Sequence, residues 1–381
     1  MPLQETTIVD LREEMALRAL DRRYTVSEVA TMFGVTRQTV RMWRERYREA
    51  GRAGLEDRSH APHRCPHRTD PTVEELILAD RKRWGFGSKK IRTRLEEAYP
   101  GLSLPKRSTI DAILSRHDLV EPPRTRRRQP NTTFIRRYHA TEPGQLTTID
   151  YKGQFRLGNG QYCFPLTLAD TVSRFLLACE ALPSNIFGPT WRVIERIFRE
   201  HGVPWAMQSD KGPPFGPTHG RFSVLSVRLM TLDVQPVFSR PGRPGDNGRH
   251  ERMHRDLKDR TTHPPSQTLR QQQRQFDEFR TIYNEERPHE GINMQRPARV
   301  YKVAQPRPFP ARPRKPEYPN IFETRRVAAN GEIGWNGHAI FISRSLGGHT
   351  LGFEPTDDGI WTVHFYRFVI GKIDEHRHDF L

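Results

Sequence analysis

Between Leu146 and Ser209 the chain sets out strand-like and helix-like runs in an order that leaves few ways to fold. Leu146-Thr147-Thr148-Ile149-Asp150-Tyr151 alternates apolar and polar residues and reads as the start of a strand over 146–156. A second strand is expected over 161–169. Leu157-Gly158-Asn159-Gly160 lies between them, and Asn-Gly is a strong hairpin signal because both residues tolerate positive φ. Arg174 to Leu182 reads as a third strand. An amphipathic helix is expected over 187–200, with Trp191, Ile194, Ile197 and Phe198 on one face, and a short buried strand over 204–209. Hairpin strands followed by a third strand, a helix and another strand describe a mixed sheet covered by helices. In that sheet Asp150, in the first strand, and Asp210, ending the fourth, become neighbours at one sheet end.

A third acid, Glu251, lies where the loop Pro244-Gly245-Asp246-Asn247-Gly248 turns into a helix. Arg255 and Lys258 share its helical face. Two strand-end acids and one helix acid suit a two-metal phosphoryl-transfer site. Two Mg²⁺ (or Mn²⁺) ions want several oxygen ligands held by rigid elements, and together they activate a nucleophile, stabilise a leaving oxygen and neutralise phosphate charge. Singly, each acid is weak evidence: strand-end Asp residues often cap turns, and Glu251 with its cations also fits an exposed salt-bridge ladder. No Ser, Tyr or Cys stands in a setting that suggests a covalent nucleophile. Direct attack by water or another free hydroxyl, without a covalent enzyme intermediate, is therefore expected.

The formal net charge is +17 and the pI about 10.2, which favours a polyanionic partner, and nucleic acid is the usual one. With 35% hydrophobic residues and 31 prolines, several small cores joined by linkers are expected. Residues 1–58 read as a helix-turn-helix. Leu11–Leu20 forms a first helix. Thr25 and Glu28 fit a capping box, Gly34 supplies a turn, and a helix from Thr36 turns Val40, Trp43 and Tyr47 inward. Its outward residues Arg37, Gln38, Thr39, Arg41 and Arg44 suit phosphates and base edges. Residues 59–120 hold a second, winged-helix-like unit. Its helices are expected over Val73–Trp84, after a capping Ser88, and over Ser108–Leu119, with Lys106, Arg107 and Ser108 placed for phosphate. His60, His63, Cys65 and His67 are broken by prolines and spaced poorly for zinc, so a basic linker is expected there.

Residues 121–143 form a basic linker whose Arg126, Arg127 and Arg128 suit a DNA backbone. The catalytic domain is expected over 144–304, a stiff Pro/Arg linker over 305–319, and a small all-β domain over 320–381. The runs Glu332–Trp335, His338–Ile342, Leu351–Phe353 and Trp361–Phe365 carry its strands, broken by Gly337, Gly347-Gly348 and Asp357-Asp358-Gly359. No apolar run approaches the ~20 residues of a membrane span. The N-terminus lacks signal-peptide regions, and three scattered cysteines form no disulfide framework, so a reducing intracellular compartment is expected.

Several motifs together resemble the catalytic core of the DDE superfamily, shared by bacterial insertion-sequence transposases and retroviral integrases. They are Thr148-Ile-Asp150, Leu168-Ala-Asp170-Thr-Val-Ser173-Arg174, Ser209-Asp210-Lys-Gly212, Asp246-Asn247-Gly248-Arg-His-Glu251-Arg252-Met-His254-Arg-Asp-Leu-Lys258, and Tyr283-Asn284-Glu-Glu-Arg287-Pro288-His289. The likeness is greatest to the insertion-sequence branch with two N-terminal helix-turn-helix units. It implies a ribonuclease-H-like α/β core and a small SH3-like β barrel at the C-terminus. It also implies Asp150, Asp210 and Glu251 as ligands of two Mg²⁺ or Mn²⁺ ions, with His254, Arg255 and Lys258 toward DNA. The implied reaction is hydrolytic nicking at element ends, then transesterification into target DNA. The implied partners are double-stranded DNA, as terminal inverted repeats and target, and at least one further copy of the chain; no membrane is involved. The implied place is the bacterial cytoplasm, at the nucleoid. Two departures stand out. Lys211 replaces the Asn often found after the second acid. The Asp210–Glu251 gap is several residues long for the family, so Asp246 fits by count, while Glu251 fits the Asn-Gly-x-x-Glu context. A nuclease of the same fold without strand transfer and a non-enzymatic DNA-binding regulator are the competing readings.

Overall fold

The structure is a computed structural model that describes residues 7–58, 68–120, 138–217, 221–239, 248–302, 306–312 and 314–381. The His/Cys cluster around Cys65, the arginines Arg126, Arg127 and Arg128, and Asp246 lie outside the described residues. The chain divides into two compact units, Met1–Asp70 and Pro71–Leu381. Among the described residues no helix is long and apolar enough to cross a membrane.

In the first unit, α1 (Ile8–Leu20), α2 (Val26–Met32) and α3 (Arg37–Ala50) surround a small core of Met15, Ala16, Val29, Ala30, Val40, Trp43 and Leu55. Thr25 accepts from the Glu28 backbone while the Glu28 carboxylate accepts from Thr25, the expected capping box. Gly34 takes φ +64°, which places the turn between the two helices.

The second unit opens with α4 (Pro71–Trp84), α5 (Ser88–Ala98) and α6 (Arg107–Arg116) around Val73, Ile77, Ile91, Leu95, Ile110 and Ile113. Ser88 does not cap α5. Gly87 holds the cap position, its carbonyl accepting from Lys90 and Ile91, and Ser88 is buried as the first helical residue. These helices are fastened to the central domain by arginines. Arg94 reaches Asp80 at 3.1 Å, both the backbone carbonyl and the carboxylate of Glu286 at 2.6 Å, and the Trp84 ring at 4.7 Å. Its side chain is 12% exposed. Arg296 and Arg299 both grip Glu97, and Arg260 donates to the Trp84 carbonyl. Removing one partner of such a buried pair leaves uncompensated charge, so Arg94→Ala should cost about 3–5 kcal/mol in urea unfolding, with Arg94→Lys recovering only part because it lacks the fork. Unchanged unfolding in Arg94→Ala would show the contact to be inert.

The central sheet contains β1 (Leu146–Tyr151), β2 (Phe155–Arg156), β3 (Tyr162–Asp170), β4 (Leu176–Leu182), β5 (Ala206–Ser209) and β6 (Gln235–Phe238). Strands pair in the order β4-β3-β1-β5-β6, with β2 also on β3, antiparallel except for β1–β5 and β5–β6. The expected strand over 146–156 is broken: its pairing with β3 slips by one residue across Lys152–Gln154, where Gly153 takes φ +91°. Strand alternation sends Ile149, Leu166 and Leu168 toward α7 (Phe187–His201) and α8 (Val224–Thr231), the α7 face supplying Trp191, Ile194, Ile197 and Phe198 as expected. Cys163, a free thiol, lies on the opposite face with the free thiol Cys179 of β4, against α9 (Gly248–Thr261) and α10 (Leu269–Thr281). Asp150 and Thr167 share that second face by the same alternation. A π-helical turn, Ile282–Glu286, and a short α11 (Pro297–Val300) complete the domain.

The Pro/Arg segment after α11 is partly seated on this domain. Arg307 donates to the carbonyls of Pro204, Leu232 and Asp233 and stacks on Trp205, and its own carbonyl accepts from Val203. The C-terminal strands are β7 (Glu323–Arg326), β8 (Glu332–Trp335), β9 (His338–Phe341), β10 (Thr350–Asp357), β11 (Ile360–Phe365), β12 (Phe368–Asp374) and β13 (Asp379–Phe380). They form an all-antiparallel half barrel, ordered β13-β12-β11-β10-β7, with the hairpin β8–β9 closing over a core of Trp335, Leu351, Phe353, Val363 and Phe365. Val227 and Met230 of α8 join that core.

Candidate active site

The parallel pairing of β1 with β5 sets Thr148 beside Gln208, and the same register carried two residues on sets Asp150 opposite Asp210. Asp150 is largely buried, with 17% of its side chain exposed, while Asp210 and Glu251 are exposed. Burial, then the negative charge of Asp210, pushes the Asp150 carboxyl up to about 7, with Glu251 adding in the same direction and Lys152 opposing. The structure therefore brings Asp210 and Glu251 each within electrostatic reach of Asp150. Among the described residues, no three His, Cys, Asp or Glu side chains stand as a ready-made ligand shell. The donor set nonetheless fits a hard divalent cation: it is all oxygen, its members repel, and a bound cation would relieve that repulsion.

A neighbouring acid shows the contrast. Asp170 is buried, and its carboxylate accepts from the backbone N–H groups of Ser173, Gly144 and Val172 and from the Ser173 hydroxyl. That acid is saturated by the β3–β4 turn and is structural. The remaining motif residues position elements. The Asn284 amide accepts from Leu176 N–H and donates to Leu176 O, clamping β4 to the π-helical turn. Arg287 pairs with Asp256, which fixes α9 from behind.

Sequence reasoning missed Thr167 and His250 and misplaced His254. His254, expected toward DNA, is 5% exposed, with Nε2 2.7 Å from the Thr167 hydroxyl and Nδ1 3.8 Å from Asp150 Oδ2. Burial, then His250, pushes its imidazole down to about 2, so its approach to Asp150 is not an ion pair. The signal that could have found Thr167 is the hairpin register, which sets it across from Asp150. Position 254 is four residues beyond the buried His250 and three before the core residue Leu257, a spacing that turns it inward.

The other expected DNA contacts divide. Arg37, Gln38 and Arg41 project from the exposed face of α3. Thr39 is half-buried with its hydroxyl 2.9 Å from that of Thr36, and Arg44 is paired with Glu45 at 2.8 Å. Lys106, Arg107 and Ser108 are exposed at the start of α6, Arg107 lying 3.7 Å from Asp111. Arg255 and Lys258 are exposed on the α9 face that carries Glu251.

Residues 11–63 match a helix-turn-helix domain family and 39–114 a homeodomain-like domain family. Residues 232–297, which include Glu251, match the integrase core domain family, and 322–380 match the C-terminal domain of the IS481 family transposases. The chain thus carries segments similar to the integrase core domain and to the C-terminal domain of the IS481 family transposases. It is 27% identical over 196 residues to the Gag-Pol polyprotein of feline leukemia virus, a match over 50% of this chain and 11% of that one. The chain thus spans about a tenth of that curated relative's length. Among solved structures, the HTLV-2 integrase catalytic core domain in complex with magnesium is 11% identical with a TM-score of 0.35, over 43% of this chain and 100% of that one. The simian T-cell lymphotropic virus intasome in complex with a PP2A regulatory subunit is 13% identical with a TM-score of 0.39, over 77% and 97%.

Proposed function

We propose that this chain is a transposase of the IS481 type, which binds the terminal inverted repeats of a mobile element, nicks them by metal-dependent hydrolysis and joins the 3′-hydroxyl ends to target DNA. The observation that carries this reading is the buried Asp150 at one end of the sheet, with the charges of Asp210 and Glu251 both near enough to act on it. Asp150, Asp210 and Glu251 would hold two Mg²⁺ ions, since three carboxylates suit a hard, oxygen-seeking cation. When bound, the ions supply nucleophile activation and charge neutralisation. The chain's own residues do the rest. Arg37, Gln38 and Arg41 on α3 suit a major groove, Lys106 and Arg107 suit phosphates, and Arg255 and Lys258 hold the backbone beside the acids. Water attacks the phosphodiester at the element end and frees a 3′-hydroxyl. That hydroxyl then attacks a target phosphodiester, forming the new strand bond and releasing a target 3′-hydroxyl. Pairing two ends calls for at least two copies of the chain, acting at the bacterial nucleoid.

The test is a reaction of the full chain with Mg²⁺, element-end DNA and a target plasmid. Joined products are expected. Cut but unjoined ends would make the protein a nuclease, and binding without cutting a regulator. Arg41→Ala should weaken end binding about tenfold at fixed salt, as expected for one lost groove contact, without lowering the melting temperature. Unchanged affinity would remove α3 from the interface.

A further inference from the structure

Three polar side chains meet in the apolar layer between the sheet and α9. Thr167 is fully buried, and His250 and His254 are 3% and 5% exposed. The Thr167 hydroxyl lies 3.1 Å from the Asp150 carbonyl oxygen, 2.7 Å from His254 Nε2 and 3.0 Å from His250 Nε2. A hydroxyl has one proton to give and two lone pairs. A carbonyl only accepts, so the Thr167 proton goes to Asp150, and both imidazoles donate through Nε2–H. Counting donors and acceptors thus assigns both rings the same neutral tautomer, with the Thr167 hydroxyl using its proton and both lone pairs.

The junction ties together the two elements that carry the first and third acids. Thr167 sits directly across from Asp150 in the β1–β3 pairing. Glu251 follows His250 in the first turn of α9. Beyond Tyr151 a single bond, Lys152 N–H to the Pro165 carbonyl, continues the β1–β3 pairing before the one-residue slip at Gly153, so little of the ladder holds Asp150 from that side.

We propose that Thr167 is a positioning residue: with His250 and His254 it pins the first turn of α9 to the backbone of Asp150, and so sets the spacing at which Asp150 and Glu251 share a divalent cation. This rests on reading the three acids as metal ligands. Outer contacts of this kind hold ligands within fractions of an ångström, and losing them costs about 10–100-fold in metal affinity. A merely space-filling threonine would be replaced without loss by isosteric valine.

The experiment is a calorimetric Mn²⁺ titration of the full chain, paired with melting in EDTA. Thr167→Val should bind Mn²⁺ at least about tenfold more weakly, and Thr167→Ser, which keeps the hydroxyl, should bind like wild type. A second pair covers the case in which valine does not fold. His254→Gln places an amide N–H near the position of Nε2 and should retain binding, while His254→Asn cannot reach and should lose it. Wild-type Mn²⁺ affinity in both Thr167→Val and His254→Asn overturns the pin alone. Absence of Mn²⁺ binding in the wild type overturns the metal reading and the pin with it.

Discussion

Asp150→Asn is expected to abolish strand cleavage and joining, by about a thousandfold or more, and at the same time to stabilise the metal-free protein at pH 8. The two effects share one cause. Asp150 is buried beside Asp210 and Glu251, and its carboxyl is pushed up to about 7, whereas an unfolded aspartate titrates near 3.8. Between those values the folded chain holds a proton that the unfolded chain has released. Stability therefore falls as pH rises through the folded value, and the contribution of the neutral form is fully present below the unfolded one. At about 1.4 kcal/mol for each pH unit separating the two values, the strain on the ionised form is on the order of 4 kcal/mol at pH 8. Asparagine removes the charge and that strain, but also the anionic ligand. Melting in EDTA at pH 4 and pH 8 checks the prediction: the Asp150→Asn substitution should raise the melting temperature only at the higher pH, and end-DNA binding should be unchanged. Equal changes at both pH values would mean that the acids do not repel one another.

Period and turn chemistry made much of this fold legible. Alternation located β1 and β3, Asn159-Gly160 located their hairpin, and the Thr25/Glu28 pair located the start of α2. These signals are local, and the physics that reads them spans a few residues. What escaped was non-local. Lys152 and Gln154 look like more of the same strand, and only pairing with β3 reveals the slip at Gly153. Proline density made the segment containing Arg307 read as a spacer, yet its guanidinium finds three carbonyls about a hundred residues away or fewer, which no composition signals. Thr167 was unremarked because alternation assigns it a face but not a partner. His254 was drawn toward DNA by its basic neighbours Arg255 and Lys258, whereas helix register turns it to the core.

The same register bears on the third acid, for which counting along the chain favoured Asp246 and local context favoured Glu251. Glu251 lies in the first turn of α9, whose inner face carries His250, Met253, His254 and Leu257. A residue one position after His250 sits at the edge of that buried face, exposed, yet close enough for its charge to raise Asp150. Glu251→Gln removes a ligand charge without changing volume, so it should lower joining by about a thousandfold and weaken Mn²⁺ binding, leaving the melting temperature in EDTA unchanged or higher. Asp246→Asn should keep joining within about threefold of wild type, well under the 1.4 kcal/mol that marks a tenfold change. The comparison is read from joined product at saturating Mg²⁺. Full activity in Glu251→Gln together with loss in Asp246→Asn would transfer the third position to Asp246. It would also detach the Thr167 junction from the metal, because the helix turn that it fixes would then carry no ligand.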